Sequence, residues 1–198
     1  MRKLIVAEFI TLDGVIQAPG APDEDTDGGF KHGGWTLRYW HDDIGAHFFE
    51  AMGKADALLL GRRTWQTHGA AFDPMPEGDP FGDAMKAISK YVVSTTLKST
   101  DLWRKSNLIS RNVVDEVRKL KSAPGKDILL DGSSVLVKTL IENDLVDEFA
   151  LHVYPLVLGP GKRLFAADNR LDLKLVHSQQ LPTGVVYQRF ERVRQGAA

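Results

Sequence analysis

The sequence predicts an α/β protein with a mostly parallel central sheet and an antiparallel C-terminal hairpin. Three observations carry that prediction. Runs rich in Val, Ile and Leu alternate with amphipathic segments over most of the chain, the pattern of strands joined by crossover helices. After Asp147 the alternation stops and three strand-like runs follow in succession. Between the last two lies Leu181-Pro182-Thr183-Gly184, a turn that joins them as a hairpin. With 198 residues, no internal repeat and no linker-like stretch, one domain over 1–198 is expected.

Taken in order, Leu4 to Ile10 reads as a buried first strand, interrupted only by Glu8. Ala18 to Gly34 is crowded with Gly, Pro and Asp and reads as a long loop, a class of segment that is usually functional. Asp42 to Met52 reads as a helix, with Ile44, Phe48, Phe49 and Met52 at helical spacing. Ala55 to Leu60 is the next strand, and a helix start follows it. Phe72 to Gly82, with three prolines, reads as irregular, before a short helix near Asp83 to Ile88. Strands are expected at Lys90 to Thr95 and Asn107 to Ser110, with an amphipathic helix at Asn112 to Lys121 stopped by Pro124-Gly125. Asp127 to Leu130 is a strand and Ser134 to Ile141 a helix. Glu148 to Tyr154, Leu173 to Gln180 and Val185 to Arg192 are the closing strands.

Composition excludes several functions. A net charge of −1 exerts no general pull on nucleic acid or an anionic membrane. No apolar run approaches the ~20 residues of a membrane helix, and the N-terminal run is too short and too charged for a signal peptide. The absence of cysteine rules out disulfides, a thiol nucleophile and thiolate metal sites, and fits a cytoplasmic protein.

The chemistry-bearing segments are three strand ends. Ala57-Leu58-Leu59-Leu60 runs into Gly61-Arg62-Arg63-Thr64-Trp65, where helix N–H groups, the helix dipole and two cations suit an anion. A solvated helix start explains the same residues equally well. Tyr91-Val92-Val93 runs into Ser94-Thr95-Thr96, hydroxyls that suit a 2′-phosphate and equally suit a strand-ending turn. Ile128-Leu129-Leu130 runs into Asp131-Gly132-Ser133-Ser134-Val135, a place for a pyrophosphate or a plain capped turn. A dinucleotide is the natural ligand of three such ends, yet no G-x-G-x-x-G follows the first strand. His41, Asp43 and His47 lack a further ligand, so no metal site is expected. Lys162-Arg163 is either an anion contact or a solvated loop.

In order and spacing the chain resembles the dihydrofolate reductase superfamily, in particular the bacterial branch similar to the C-terminal reductase domain of the bifunctional riboflavin-biosynthesis deaminase/reductase. The resemblance rests on Thr11-Leu12-Asp13-Gly14, Leu59 to Trp65, Val93 to Thr96, Leu130 to Ser134 and Pro155 to Phe165, and spans Met1 to Val193. It implies a dihydrofolate-reductase-like three-layer fold, NADPH as cofactor and hydride transfer to a small heteroaromatic, pteridine- or pyrimidine-like substrate. It also implies a homodimer, for which the terminal hairpin offers an edge. By position, Gly61, Arg62, Arg63, Thr64, Ser94, Thr95, Thr96, Gly132, Ser133, Ser134 and Val135 would contact the cofactor. Asp13 and Gly14 would lie beside the nicotinamide, and the helix from Asp42 would line the substrate pocket. Asp13 or Asp42 could hold a ring N–H or pass a proton through water, and Trp35, Tyr39 and Trp40 could stack on a flat ring. A turn at Asp13, a helix cap at Asp42 and core roles for the aromatics remain open. Two departures stand out. Asp131-Gly132 replaces a Gly-Gly pair, and the helix from His41 to Glu50 is acidic and apolar where riboflavin-pathway reductases carry basic residues. The second argues against a phosphorylated ribose or ribitol substrate. The alternative function is a non-catalytic nucleotide or metabolite binder on the same fold.

Overall fold

The computed structural model describes residues 1–165 and 170–194. In chain order its elements are β1 (Leu4–Thr11), α1 (Asp42–Lys54), β2 (Ala55–Gly61), α2 (Arg62–Phe72), α3 (Pro80–Ala87), β3 (Ser89–Val93), β4 (Ser106–Ile109), α4 (Val113–Ser122), β5 (Asp127–Leu130), α5 (Ser134–Glu142), β6 (Glu148–Tyr154), β7 (Leu173–Gln180) and β8 (Val186–Arg192). One-turn 3-10 helices cover Asp27–Gly29 and Leu37–Tyr39 within the long connection from β1 to α1.

The strands form one eight-stranded sheet in the order β4-β3-β2-β5-β1-β6-β8-β7. The pairs from β4 through to β6 are parallel. The pairs of β8 with β6 and β7 are antiparallel. Because side chains alternate along a strand, each face of the parallel region carries its own apolar set, and helices cover both. Ile44 and Met52 of α1, Trp65 of α2 and Met85 of α3 pack with Ile5, Ala7, Leu58 and Leu60 on one face. Val117 and Leu120 of α4 and Leu136, Val137, Leu140 and Ile141 of α5 pack with Leu4, Val6, Leu59 and Leu130 on the other. The result is three layers.

The expected elements are all present, with boundaries moved by local hydrogen bonding. The helix expected from Asp83 starts at Pro80, because the Asp79 carboxylate accepts the Gly82 N–H and proline is suited to the first helical position. The strand expected to reach Thr95 stops at Val93. The Ser94 hydroxyl accepts the N–H groups of Thr96 and Leu97 and turns the chain away. Asn112 adopts a left-handed conformation, so α4 begins at Val113. Among the described residues no helix is long and apolar enough to cross a membrane.

Candidate active site

The sheet order puts β3, β2 and β5 side by side, so the three strand ends singled out in the sequence lie along one stretch of its carboxyl edge. At the centre two turns touch. Gly61 N donates to the Gly132 carbonyl at 3.1 Å. A Cβ on Gly61 would collide with Ser133 Oγ, and one on Gly132 would lie 2.6 Å from Thr64 Oγ1. Gly132 also has φ +70°, and its peptide bond to Ser133 is cis. Glycine is required at both places, for close approach and at Gly132 also for backbone shape. Gly61 and Ser133 are the N-cap residues of α2 and α5, and neither helix has a side-chain cap. The first-turn N–H groups of both helices therefore have no side-chain cap, the hydroxyls of Thr64 and Ser133 lie at the junction, and Ser134 opens α5. Val135 is exposed beside them. Ser94 is occupied by its own turn, whereas Thr95 and Thr96 are exposed.

The two arginines behave differently. Arg62 donates to Gln66 along α2 at 3.1 Å. Arg63 is held by the long loop: it pairs with Asp25 at 3.1 Å and with Asp27. Lys162 joins the same two carboxylates, at 3.0 Å from Asp27. Hydrogen bonds from Arg63, then from Lys162, hold the Asp27 carboxyl down to about 2. Gln17 braces the loop by donating to the carbonyls of Asp25 and Asp27 and accepting the Lys162 N–H. Two hollows flank the loop. One of about 280 Å³ is lined by Glu24, Asp25, Arg63 and Thr67. The other, of about 500 Å³, is lined by Gln17, Phe30, His32 and Lys162. Neither is lined by the Gly61–Gly132 junction.

A titratable cluster that the sequence reading did not single out backs this junction. Glu8, 5% exposed on β1, accepts the Gly132 N–H at 2.8 Å. Burial, then the neighbouring Asp131 charge, push its carboxyl well above the ordinary range against the pull of that hydrogen bond. Asp131 pairs with His68 of α2 at 2.6 Å. Burial works against the His68 charge, but Asp131 and Glu24 outweigh it and raise the imidazole. Glu24 reaches this group from the long loop, and burial raises it too. The one signal in the sequence was a glutamate inside an otherwise apolar strand.

On the α1 face of the sheet an aromatic wall stands at the carboxyl end of β6. Trp35 and Tyr39 meet the Tyr154 ring edge-on at centroid distances of 5.1 and 5.7 Å. Trp35 is buried and donates its ring N–H to the Gln17 carbonyl at 2.8 Å. Trp40 lies outside the wall, 56% exposed. Phe9, Phe48, His47 and His152 complete it. Of these, only Phe48 and His47 lay in a segment that the sequence assigned to a pocket.

The two carboxylates considered for proton chemistry are separated. Asp13 accepts the Thr11 hydroxyl at 2.6 Å and the Leu158 and Gly159 N–H groups at 3.2 and 2.8 Å, with Arg163 3.5 Å away. Burial opposes its ionisation, but these hydrogen bonds prevail and lower its pKa. Its oxygens thus fasten the segment after β6 to the turn at Gly14. Asp42 is exposed on the first turn of α1, whose N-cap is His41, the ring Nδ1 accepting the Asp43 N–H at 3.3 Å. His41 Nδ1 lies 3.5 Å from Asp43 Oδ2, and among the described residues no group of three His, Asp or Glu is placed to hold a metal.

Residues 2–187 match the family model of the RibD C-terminal domain. A relative, the uncharacterized protein YyaP of Bacillus subtilis, is 33% identical over 189 residues, covering 93% of this chain and 92% of the relative. Among solved structures, a Shewanella sp. PV-4 protein that carries a riboflavin-biosynthesis name superimposes with a TM-score of 0.74 at 22% identity, over 97% of this chain and 99% of that one. A dihydrofolate reductase from Enterococcus faecalis, complexed with NADP(H), superimposes with a TM-score of 0.60 at 16% identity, over 96% of each chain. The three-layer fold is therefore dihydrofolate-reductase-like.

Proposed function

The chain belongs to the RibD C-terminal domain family, and from that premise we propose that it is an NADPH-dependent reductase of a small heteroaromatic substrate. The substrate is pteridine- or pyrimidine-like, of the kind reduced by dihydrofolate reductase or by 5-amino-6-(5-phosphoribosylamino)uracil reductase. The observation that carries this reading is the Gly61–Gly132 junction. There the two turns pack so closely that a Cβ on either glycine would collide with Ser133 or Thr64, which brings the uncapped N-termini of α2 and α5 together beside the hydroxyls of Thr64 and Ser133, with Ser134 opening α5. Such donors suit a pyrophosphate, and Thr95, Thr96, Arg62 and Arg63 suit a 2′-phosphate. Bound NADPH would supply the hydride. The protein's part is to position, to exclude water and to keep a proton path. Asp13 serves by tying Gly14 to the segment after β6, Trp35 and Tyr39 by walling the substrate side, and Asp42 by meeting solvent at the head of α1. The Trp40 ring, just over half exposed, has a free face on which a bound heterocycle would stack.

Titration of protein fluorescence with NADPH tests the reading. Saturation in the micromolar to sub-millimolar range is expected, and its absence would sink the proposal.

A second reading is a nucleotide binder without turnover. It is favoured by Asp25 and Asp27, which already neutralise Arg63 and Lys162. NADPH consumption across a panel of pterins, pyrimidines and quinones decides between them, since binding without oxidation would select the binder. The reductase is further proposed to act in the cytoplasm as a homodimer, joined through the exposed hairpin strand β7.

A further inference from the structure

Two of the four side-chain polar atoms buried without a partner among the described residues sit two positions apart on β6: His152 Nδ1 and Tyr154 Oη. Their side chains are 2% and 0% exposed, and Phe9 lies beside both rings at centroid distances of 5.5 and 5.6 Å. Buried polar atoms are nearly always paired, so an orphaned pair in an aromatic wall points to a missing partner.

A chain of hydrogen bonds decides what that partner must be. A carboxylate can only accept, so Gln179 turns its amide NH₂ toward Asp43 Oδ2, at 3.4 Å. The Gln179 carbonyl oxygen then faces His47 Nε2 at 3.2 Å, and a neutral His47 must carry its proton there. His47 Nδ1 is left as a lone pair, 3.1 Å from His152 Nε2, which must therefore donate. His152 Nδ1 is consequently a bare acceptor. Burial and the adjacent His47 depress the His152 ring to about 3, so it stays neutral near pH 7. Tyr154, raised by burial, keeps its phenolic proton and has no acceptor.

We propose that His152 Nδ1 and Tyr154 Oη read the lactam edge of a flat heterocycle, the ring N–H donating to His152 and the neighbouring carbonyl accepting from Tyr154. Asp43, Gln179 and His47 act as positioning residues that hold His152 in its acceptor tautomer. The ligand enters by displacing Tyr39, which stands on a single 3-10 turn against Tyr154 and is steadied there by Arg38. The inference rests on the aromatic wall being the substrate side of the proposed reductase, and it narrows the substrate to rings with an unsubstituted N–H beside a carbonyl.

The probes are quinazolinedione, which carries that edge, and its N,N′-dimethyl derivative, which does not. Nitrogen NMR of the histidine rings at about pH 8, above the ordinary histidine range, is expected to place one proton on Nε2 of both His47 and His152. Quinazolinedione should move the His152 Nδ1 resonance and bind about tenfold or more tightly than the dimethyl derivative. Asp43→Asn, a change at a partly exposed side chain, frees Gln179 to rotate and should shrink that preference while the melting temperature barely moves. A proton on His152 Nδ1 in the free protein, equal affinities, no binding of quinazolinedione, or an undiminished preference in Asp43→Asn would each overturn the inference. An NADPH titration of the same sample separates the two readings. Saturable NADPH binding with equal probe affinities sinks this inference alone, and loss of NADPH binding with the preference intact sinks the reductase.

Discussion

Glu8 stands among Leu4, Val6 and Ile10 on β1, in a strand buried on both faces where an apolar side chain would ordinarily be found. Its one oxygen accepts the Gly132 N–H, so it shapes the β5–α5 turn from behind. The folded protein binds the Glu8 proton more tightly than the unfolded chain does. Stability from this group is therefore complete below the ordinary glutamate range and falls as pH rises through the elevated value. Glu8→Gln keeps an acceptor and removes the charge. It is expected to match the parent near pH ~4 and to melt several degrees higher at alkaline pH, which thermal unfolding across pH will check. His68 is raised as well, so its pairing with Asp131 stabilises fully below about pH 6.5 and fades as pH rises through its folded value. His68→Gln should accordingly cost most under mildly acidic conditions and progressively less above them. Asp131→Asn should flatten both trends, because Asp131 raises both groups. Local sequence shows only that Glu8 interrupts an apolar strand; its meeting with Asp131, far along the chain, is decided by the parallel pairing of β1 with β5.

The elements that matter are the turns and the long loop. The β5–α5 turn needs glycine at position 132, where a side chain would meet Thr64 and the backbone is left-handed. Gly132→Ala is expected to cost about 2 kcal/mol in chemical denaturation and to abolish NADPH binding. The composition of Ala18 to Gly34 marks a long loop, but not which helix that loop meets. Asp25 and Asp27 are 38 and 36 positions from Arg63 and pair with it at the mouth of α2, where an anion would bind. Arg63→Ala should weaken NADPH about tenfold while NADH changes little. Asp27→Asn should do the reverse and tighten NADPH several-fold, by removing a competing carboxylate. Isothermal titration of both nucleotides measures each, and equal losses for NADPH and NADH in Arg63→Ala would remove the 2′-phosphate assignment.

At the scale of the molecule, the sheet ends at β7, a strand exposed along nearly its whole length with Leu175 and Val176 half open to solvent. Open edges of this kind invite pairing. Sedimentation is expected to find a dimer that Val176→Glu converts to monomer without loss of fold; a monomeric parent would contradict the proposed assembly. Fold class, element order and the three glycine- or hydroxyl-bearing strand ends were readable from the residues, because periodicity, turn chemistry and glycine placement are local properties of the chain. Tertiary structure alone decided that β3, β2 and β5 are neighbours, that Asp13 is an anchor for the segment after β6, that Trp40 stands apart from Trp35 and Tyr39, and that His47 meets His152. Those outcomes depend on burial and on charges brought together from distant positions, and neither leaves a periodic trace in a single sequence.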